Sequence, residues 1–442
     1  MIQKTVINIV IILLITFLTG ASPAQDISRD KMTLTLDDAI SLAMERNKDI
    51  LIANEGLKKG EKQIKEAKSG AFPQISLNTM YTRTFKKPQF IVRVNGEVTK
   101  FEMGFNNSIQ SAFQINQTLY SGGITWTALK IAKIYSNSLK ESFQMIKKRV
   151  TLDVKKGFLG VLLSEEVHKI NTQSLGLAEA HLKNIQVMYK NGMASEFDLI
   201  RAEVQVANTK PRVISSENNL KLQLDFLKNT LGLPLDREIE VVGDLKPGYI
   251  SEKTLNEASK DVHLERNDYK NLELLRNILN ENTKIERSGY FPKLSANYTY
   301  QYQGQSDNFG FKNSYRSQTA SLNLSIPIFN GFRTGAKVQQ ARIAVKEMDY
   351  QLAQMRDGIE IQVKQALNML DDAYKRITST EKTVELAKKA YDISEVRFKS
   401  GQGTQLEIFD SHLQLELAQL NKLQSVFDYE IARAQWENAI GN

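Results

Sequence analysis

Ser288-Gly289-Tyr290-Phe291-Pro292-Lys293-Leu294-Ser295-Ala296-Asn297-Tyr298-Thr299-Tyr300-Gln301-Tyr302-Gln303 is the stretch on which the reading of this chain turns. Phe291-Pro292 ends the preceding helix, because the residue before proline disfavours the α region. Beyond it Leu294, Ala296, Tyr298, Tyr300 and Tyr302 alternate with Ser295, Asn297, Thr299, Gln301 and Gln303. A period of two sets these groups on opposite faces of a strand. One face is apolar and tyrosine-bearing; the other is polar without charge.

The same junction occurs earlier, as Ser69-Gly70-Ala71-Phe72-Pro73-Gln74-Ile75-Ser76. Three further segments recur in the same order. Glu45-Arg46-Asn47 returns as Glu265-Arg266-Asn267, and Leu119-Tyr120-Ser121-Gly122 as Ile328-Phe329-Asn330-Gly331. Val187-Met188-Tyr189-Lys190-Asn191-Gly192 returns as Val396-Arg397-Phe398-Lys399-Ser400-Gly401. Four matches in register predict a tandem duplication, with repeats over residues 25–250 and 251–442. Each half reads helix, strand, strand, helix, turn, helix. The first helix starts on the stripe Leu36, Ala39, Ile40 and Ala43, behind a capping box of Thr35 and Asp38.

Three more strands follow the period of two. Ile75, Leu77, Thr79 and Tyr81 oppose Ser76, Asn78 and Thr82; Ile109, Phe113, Ile115 and Leu119 oppose Gln110, Gln114 and Asn116. Leu322, Leu324, Ile326 and Ile328 oppose Ser321, Asn323 and Ser325. A soluble sandwich with one buried face would show this alternation, and so would a membrane barrel with lipid outside and water inside. Strands of about ten residues favour the barrel. Four strands cannot close one, since the smallest have about eight. Two chains would give eight strands and three would give twelve; the pattern does not choose. The strand connections are expected near 86–107 and 304–317, the first containing an Asn95-Gly96 hairpin turn.

Residues 124–190 and 333–399 contain no proline, and as continuous helices would each be about 100 Å long. Ile146, Val150, Val154, Phe158 and Val161 recur at three- and four-residue steps, a coiled-coil-like seam. Gly160, Gly176 and Gly358 are potential weak points. Each long helix meets a returning one across a glycine turn. The first return ends at Leu231-Gly232-Leu233-Pro234-Leu235, followed by a strand-like Ile239-Glu240-Val241-Val242 and a short helix from about Leu255.

The fold class expected is therefore an α+β membrane protein: barrel strands plus long coiled-coil helices. Residues 1–24 read as a signal peptide, with Lys4, an apolar run from Val6 to Leu18, and Ser22 and Ala24 at the −3 and −1 positions. The chain has no cysteine, hence no disulfide, thiolate metal site or lipid-modified cysteine. Its 58 basic and 50 acidic residues are intermixed, which argues for solvated helix faces and against nucleic acid.

Leu34-Thr35-Leu36-Asp37-Asp38-Ala39, the Phe-Pro strand starts, Leu-Gly-Leu-Pro-Leu and the Met/Arg-Tyr/Phe-Lys-x-Gly turns resemble the TolC-like outer-membrane efflux family over nearly the whole mature chain. The resemblance implies a homotrimer with a twelve-stranded barrel in outer-membrane lipid and a twelve-helix periplasmic tunnel. It also implies a passive export duct of a tripartite efflux or secretion system. The partners it implies are a periplasmic adaptor (membrane fusion protein) and an inner-membrane pump of RND, ABC or MFS type. The chain departs from some members in lacking a cysteine after the signal. It also carries Gln402 and Gly403 where some have a basic residue.

The turns at Lys190, Asn191, Gly192 and at Lys399, Ser400, Gly401 are the expected adaptor-docking tips. Beyond them stand Asp198, Glu407 and Asp410. Carboxylates repeated by symmetry around a narrow pore form a cation-selecting ring. Asp198 with Ser195, and Glu407 with Thr404, also fit capping boxes. Asp410 lies one turn past the cap and is the leading gate residue; Arg201, its counterpart, could pair with it and close the pore. No enzyme activity, cofactor or metal is expected: His168, His181, His263 and His412 are scattered, and Gly401-Gln402-Gly403 lacks the strand and third glycine of a dinucleotide loop. A periplasmic adaptor or an adhesive coiled coil would share the long helices, but neither accounts for the alternating strands and the duplication.

Overall fold

The computed structural model describes residues 32–94, 97–250, 262–311 and 313–441. The signal peptide over 1–24, the Asn95-Gly96 turn and the short helix near Leu255 lie outside the described residues.

Strand β1 (Met32–Leu34) leads into α1 (Leu36–Arg46). The Thr35 hydroxyl accepts from the Asp38 amide and the Asp38 carboxylate accepts from the Thr35 amide, so the expected capping box forms. Periodicity reads one helix from Leu36 to Phe72, whereas the structure breaks it at Asn47, which is extended at φ −60°, ψ 131°. Asn47 Oδ1 accepts from the Asp49 and Ile50 amides and starts α2 (Lys48–Ser69). Its Nδ2 donates to the Thr230 carbonyl at 2.7 Å. That partner is 183 residues away, beyond the reach of any local pattern.

After Phe72-Pro73 come β2 (Gln74–Arg83), β3 (Gln89–Val94), β4 (Glu97–Glu102) and β5 (Asn107–Tyr120). β3 and β4 form a separate hairpin with Val94 opposite Glu97. After Phe291-Pro292 come β7 (Lys293–Ser306) and β8 (Asn313–Ser325). The four long strands make one antiparallel sheet in the order β2-β5-β7-β8. Its register aligns Ile75, Ile115, Tyr298 and Ala320 on one face, then Leu77, Phe113, Tyr300 and Gln318. The opposite face aligns Gln74, Asn116, Asn297 and Ser321, then Ser76, Gln114, Thr299 and Thr319. Within one chain the apolar face is bare: Leu77 is 68% and Leu322 72% exposed. Among the described residues β2 and β8 pair on one side only.

Three strand-level expectations need correction. A bulge between Thr118 and Tyr120 sets Tyr120, not Leu119, opposite Leu294, because one extra residue exchanges the faces. β8 ends at Ser325, before Ile326 and Ile328, since Pro327 has no amide to donate. The second connection is shorter than 304–317, because Gly304 and Gln305 still pair with Ser314 and Asn313.

The long helices are α3 (Ile124–Lys190), which returns as α4 (Glu196–Leu231), and α6 (Arg333–Lys399), which returns as α7 (Gln405–Ala439); α5 (Asn267–Arg287) precedes β7. Both long helices run unbroken through their glycines. Near the sheet α3 packs between α2 and α5, with α6 beyond α5; towards the tips α3 packs between α4 and α7, with α6 beyond α7. The chain is thus four helices wide at both levels. Where the first return stops, β6 (Ile239–Val241) pairs in parallel with β1. Leu34, Ile239 and Val241 close over Val154, Phe158, Leu227 and Leu231 in the largest core cluster. Fully burying one such leucine contributes about 1.5–3 kcal/mol.

Gly232 locks this junction. It ends α4 at φ +73°, and a Cβ there would stand 2.3 Å from the Arg46 carbonyl oxygen. Gly232→Ala should therefore lower the melting temperature, by the left-handed strain of about 1–2 kcal/mol together with the clash. Gly176→Ala, where a Cβ meets nothing within 4 Å, should be neutral or stabilise by up to about 1 kcal/mol. Thermal unfolding of the two variants in detergent checks the pair, and indistinguishable melting would refute the account.

Candidate functional site

The two helical hairpins end in turns of the same design. Gly192 (φ +70°) and Gly401 (φ +74°) take the left-handed conformation that terminates a helix. The amides of Met193 and Gln402 reach back to the carbonyls of Met188 and Arg397 at 2.8 and 2.9 Å. Lys190, Asn191, Lys399 and Ser400 are exposed at these ends. Lys399 holds Glu395 at 2.8 Å, an exposed pair that contributes little to stability.

The acidic residues have different local duties. Asp198 closes a full capping box with Ser195, its carboxylate accepting from both the Ser195 amide and hydroxyl. Glu407 forms half a box: its amide donates to Thr404, but its carboxylate lies 3.7 Å from Arg397 instead of folding back. Asp410 is exposed, and neither an ion pair nor a side-chain hydrogen bond holds it among the described residues. Arg201 is half-buried and forms no ion pair with Asp410 in one chain.

The structure also joins the two hairpins through residues that sequence reasoning passed over. His181 of α3 packs against Phe398 and Phe409 at 5.4 and 4.7 Å between ring centroids. Gln405 lies within hydrogen-bonding distance of the His181 ring and of the Asp198 carbonyl, at 3.2 and 3.3 Å. Further up, the buried Glu416 of α7 accepts from Ser174 of α3 at 2.7 Å and from Arg212 of α4. Only Glu416 carried a sequence signal, as a lone carboxylate among the leucines of residues 413–420. His181 and His412 line one cavity of about 170 Å³ with Glu395 and Lys399. Burial pushes both histidines below their usual range; for His412, Glu416 opposes the shift and Arg212 adds to it. Among the described residues no cluster suited to a metal ion occurs, and no helix is long and apolar enough to cross a membrane.

This arrangement, a bare four-stranded sheet carried on long helical hairpins, matches known proteins along its length. The family model described as outer membrane efflux protein matches residues 39–233 and 259–442. The chain belongs to the outer membrane efflux protein family. Among relatives, outer membrane protein TolC of Vibrio cholerae is 22% identical over 86% of this chain and 84% of its own length. Outer membrane efflux protein BepC of Brucella suis is 20% identical over 99% of this chain and 90% of its own. The fold matches the outer membrane protein VceC of Vibrio cholerae with TM-score 0.72 at 15% identity, covering 92% of this chain and 96% of that one. It matches the open MtrE channel of Neisseria gonorrhoeae with TM-score 0.70 at 17% identity, covering 92% and 89%. This efflux protein is an outer-membrane channel of an efflux or secretion system in a Gram-negative bacterium.

The buried histidines give the tips a pH dependence of definite sign. Their folded pKa values lie below the ordinary 6.5, so the unfolded state binds more protons as pH falls through that value. Stability from these contacts is complete above 6.5 and is lost progressively below it. Hydrogen-exchange protection factors at the α3 and α7 tips, corrected for the intrinsic exchange rate at each pH, should fall on acidification from neutral to pH 5.5, and His181→Gln should flatten the response. Protection factors independent of pH in the wild type would refute this.

Proposed function

We propose that three copies of this chain close one twelve-stranded barrel across the outer membrane and continue as a twelve-helix tunnel into the periplasm. The observation that supports this reading is the four-stranded sheet with one bare apolar face, one polar face and two edges paired on one side only. An unpaired backbone group in hydrocarbon costs several kcal/mol, so such edges must be closed. β8 of one copy runs antiparallel to β2 of the next, the orientation closure requires. A chain four helices wide at both levels supplies twelve from three copies. A helix, two sheet strands, a long helix and its return occur in this order within residues 25–250 and again within 251–442, in keeping with two tandem repeats.

The duct is passive and performs no catalysis. Its tips, at Lys190, Asn191, Gly192 and Lys399, Ser400, Gly401, dock a periplasmic adaptor, which links it to an inner-membrane pump of the RND, ABC or MFS type. Asp410 forms the selecting ring of the entrance. Its carboxylate has no partner among the described residues of its own chain, whereas Asp198 is engaged as a cap and Glu407 faces Arg397. Arg201 of a neighbouring copy is the partner that closes the ring.

Mass measurement in detergent should return three chains, in an oligomer whose gel mobility changes on heating. A stable monomeric barrel would overturn the architecture.

The entrance is tested separately in planar bilayers. Wild-type channels should be cation-selective and blocked from the periplasmic side by a trivalent cation. Asp410→Asn should abolish most of the block without altering trimer stability, while Glu407→Gln should change it less. Block that survives Asp410→Asn intact would remove Asp410 from the entrance.

A further inference from the structure

A second set of charges lies at the opposite end of the long helices, where the sheet begins. Lys293 is the first residue of β7 and stands opposite Ser325 of β8. The register puts it on the polar face with Ser295, Asn297 and Thr299. Every other position of that face is Ser, Thr, Asn or Gln, apart from Met80, Ala112 and Tyr315. Lys293 is therefore the single charge on the polar face among the described residues.

It does not stand alone in space. Lys293, Arg333 and Lys337 line a cavity of about 430 Å³ at the base of the sheet, together with Ser288, Ser325 and Thr334. Glu286 is the cavity's carboxylate and sits 3.7 Å from Lys337. The side chains of Lys293 and Arg333 have neither an ion-pair nor a hydrogen-bond partner among the described residues. Three cations against one carboxylate, in a concave site rich in hydroxyls, make a receptor for carboxylate or phosphate groups.

We propose that Lys293, Arg333 and Lys337 form an anion-recruiting site at the junction of barrel and tunnel, through which carboxylate- or phosphate-bearing cargo is drawn forward. The inference rests on the barrel reading, in which the polar face lines the lumen. Symmetry then repeats the cluster around the axis, so the duct carries carboxylates at its entrance and cations farther along. An anionic substrate that passes the entrance meets an attractive site before the uncharged stretch of the barrel. Guanidinium and ammonium groups differ here in kind: Arg333 offers a planar fork to a carboxylate or phosphate, and Lys293 a point charge.

Reversal potentials across a KCl gradient, with inorganic pyrophosphate as the polyvalent probe, test the site in full-length trimers. Wild-type current should fall on addition of pyrophosphate. Lys293→Gln combined with Arg333→Gln should lower the anion-to-cation permeability ratio roughly tenfold and relieve the pyrophosphate effect. Lys293→Arg, which keeps the charge, should retain both, and unchanged heat-modifiable mobility on gels reports that each variant assembles. Conductance with an unaltered permeability ratio in the double variant would overturn this site and leave the barrel standing. A wild type without conductance would overturn the barrel and the site together. An effect confined to bilayers containing anionic phospholipid would replace cargo by a lipid headgroup and overturn the proposal.

Discussion

Proline donates no backbone hydrogen bond and keeps the residue before it out of the α region. The chain applies that constraint at Phe72-Pro73 and Phe291-Pro292, and the sheet and the helices are separated there. On the way back, β5 returns to helix through Gly122 and Gly123, both at positive φ, and β8 through Gly331 and Phe332. All four crossings fall at one end of the sheet. A Cβ on Gly122 would come within 3.0 Å of both the Ser288 carbonyl and Phe291, so the two junctions are packed against each other. This contact sets β5 beside β7 and makes one sheet from two hairpins.

The helices meet a different physical requirement. A helix of 67 residues cannot be stabilised by its own propensity alone and depends on tertiary burial along its length. The returning helices are about half as long, so α2 and α5 cover the part of α3 that α4 and α7 leave bare. Contacts along these seams are mixed. Apolar burial dominates around Val154, Phe158 and Leu227, while Glu281 is buried between Lys130 and Lys284, each at 2.8 Å. Lys155 reaches Glu437 of α7 at 2.6 Å, a part-buried pair that joins the two hairpins. Removing one member of a buried pair leaves an uncompensated charge, which makes such contacts better at specifying which helices meet than at adding net stability.

Charge is distributed unevenly along the molecule. The sheet is almost free of it, the tips carry carboxylates, and cations gather where strand gives way to helix. Relatives bear names that refer to pyoverdine export and to protease secretion. At 14–17% identity the solved channels retain the fold, so the architecture tolerates wide change in side chains. On the proposed reading, specificity resides in exposed charges whose local hydrogen-bonding duties are light, with Asp410 as the proposed one at the tips.

Much was legible in the sequence because it is written in short-range periodicity. The period of two after each Phe-Pro gave the strands and their faces, the long proline-free stretches gave α3 and α6, and Thr35 and Ser195 announced their caps. The tip carboxylates could be named, since glycine turns mark helix ends, but their separate duties could not. Whether Glu407 folds back or faces Arg397 depends on side-chain reach within the turn. The break at Asn47, the meeting of His181 with Phe398 and Phe409, and the clustering of Lys293 with Arg333 and Lys337 were decided only by the tertiary structure. Each joins residues distant in sequence whose encounter depends on how helices and strands pack, and neither hydrophobic period nor propensity encodes such distances.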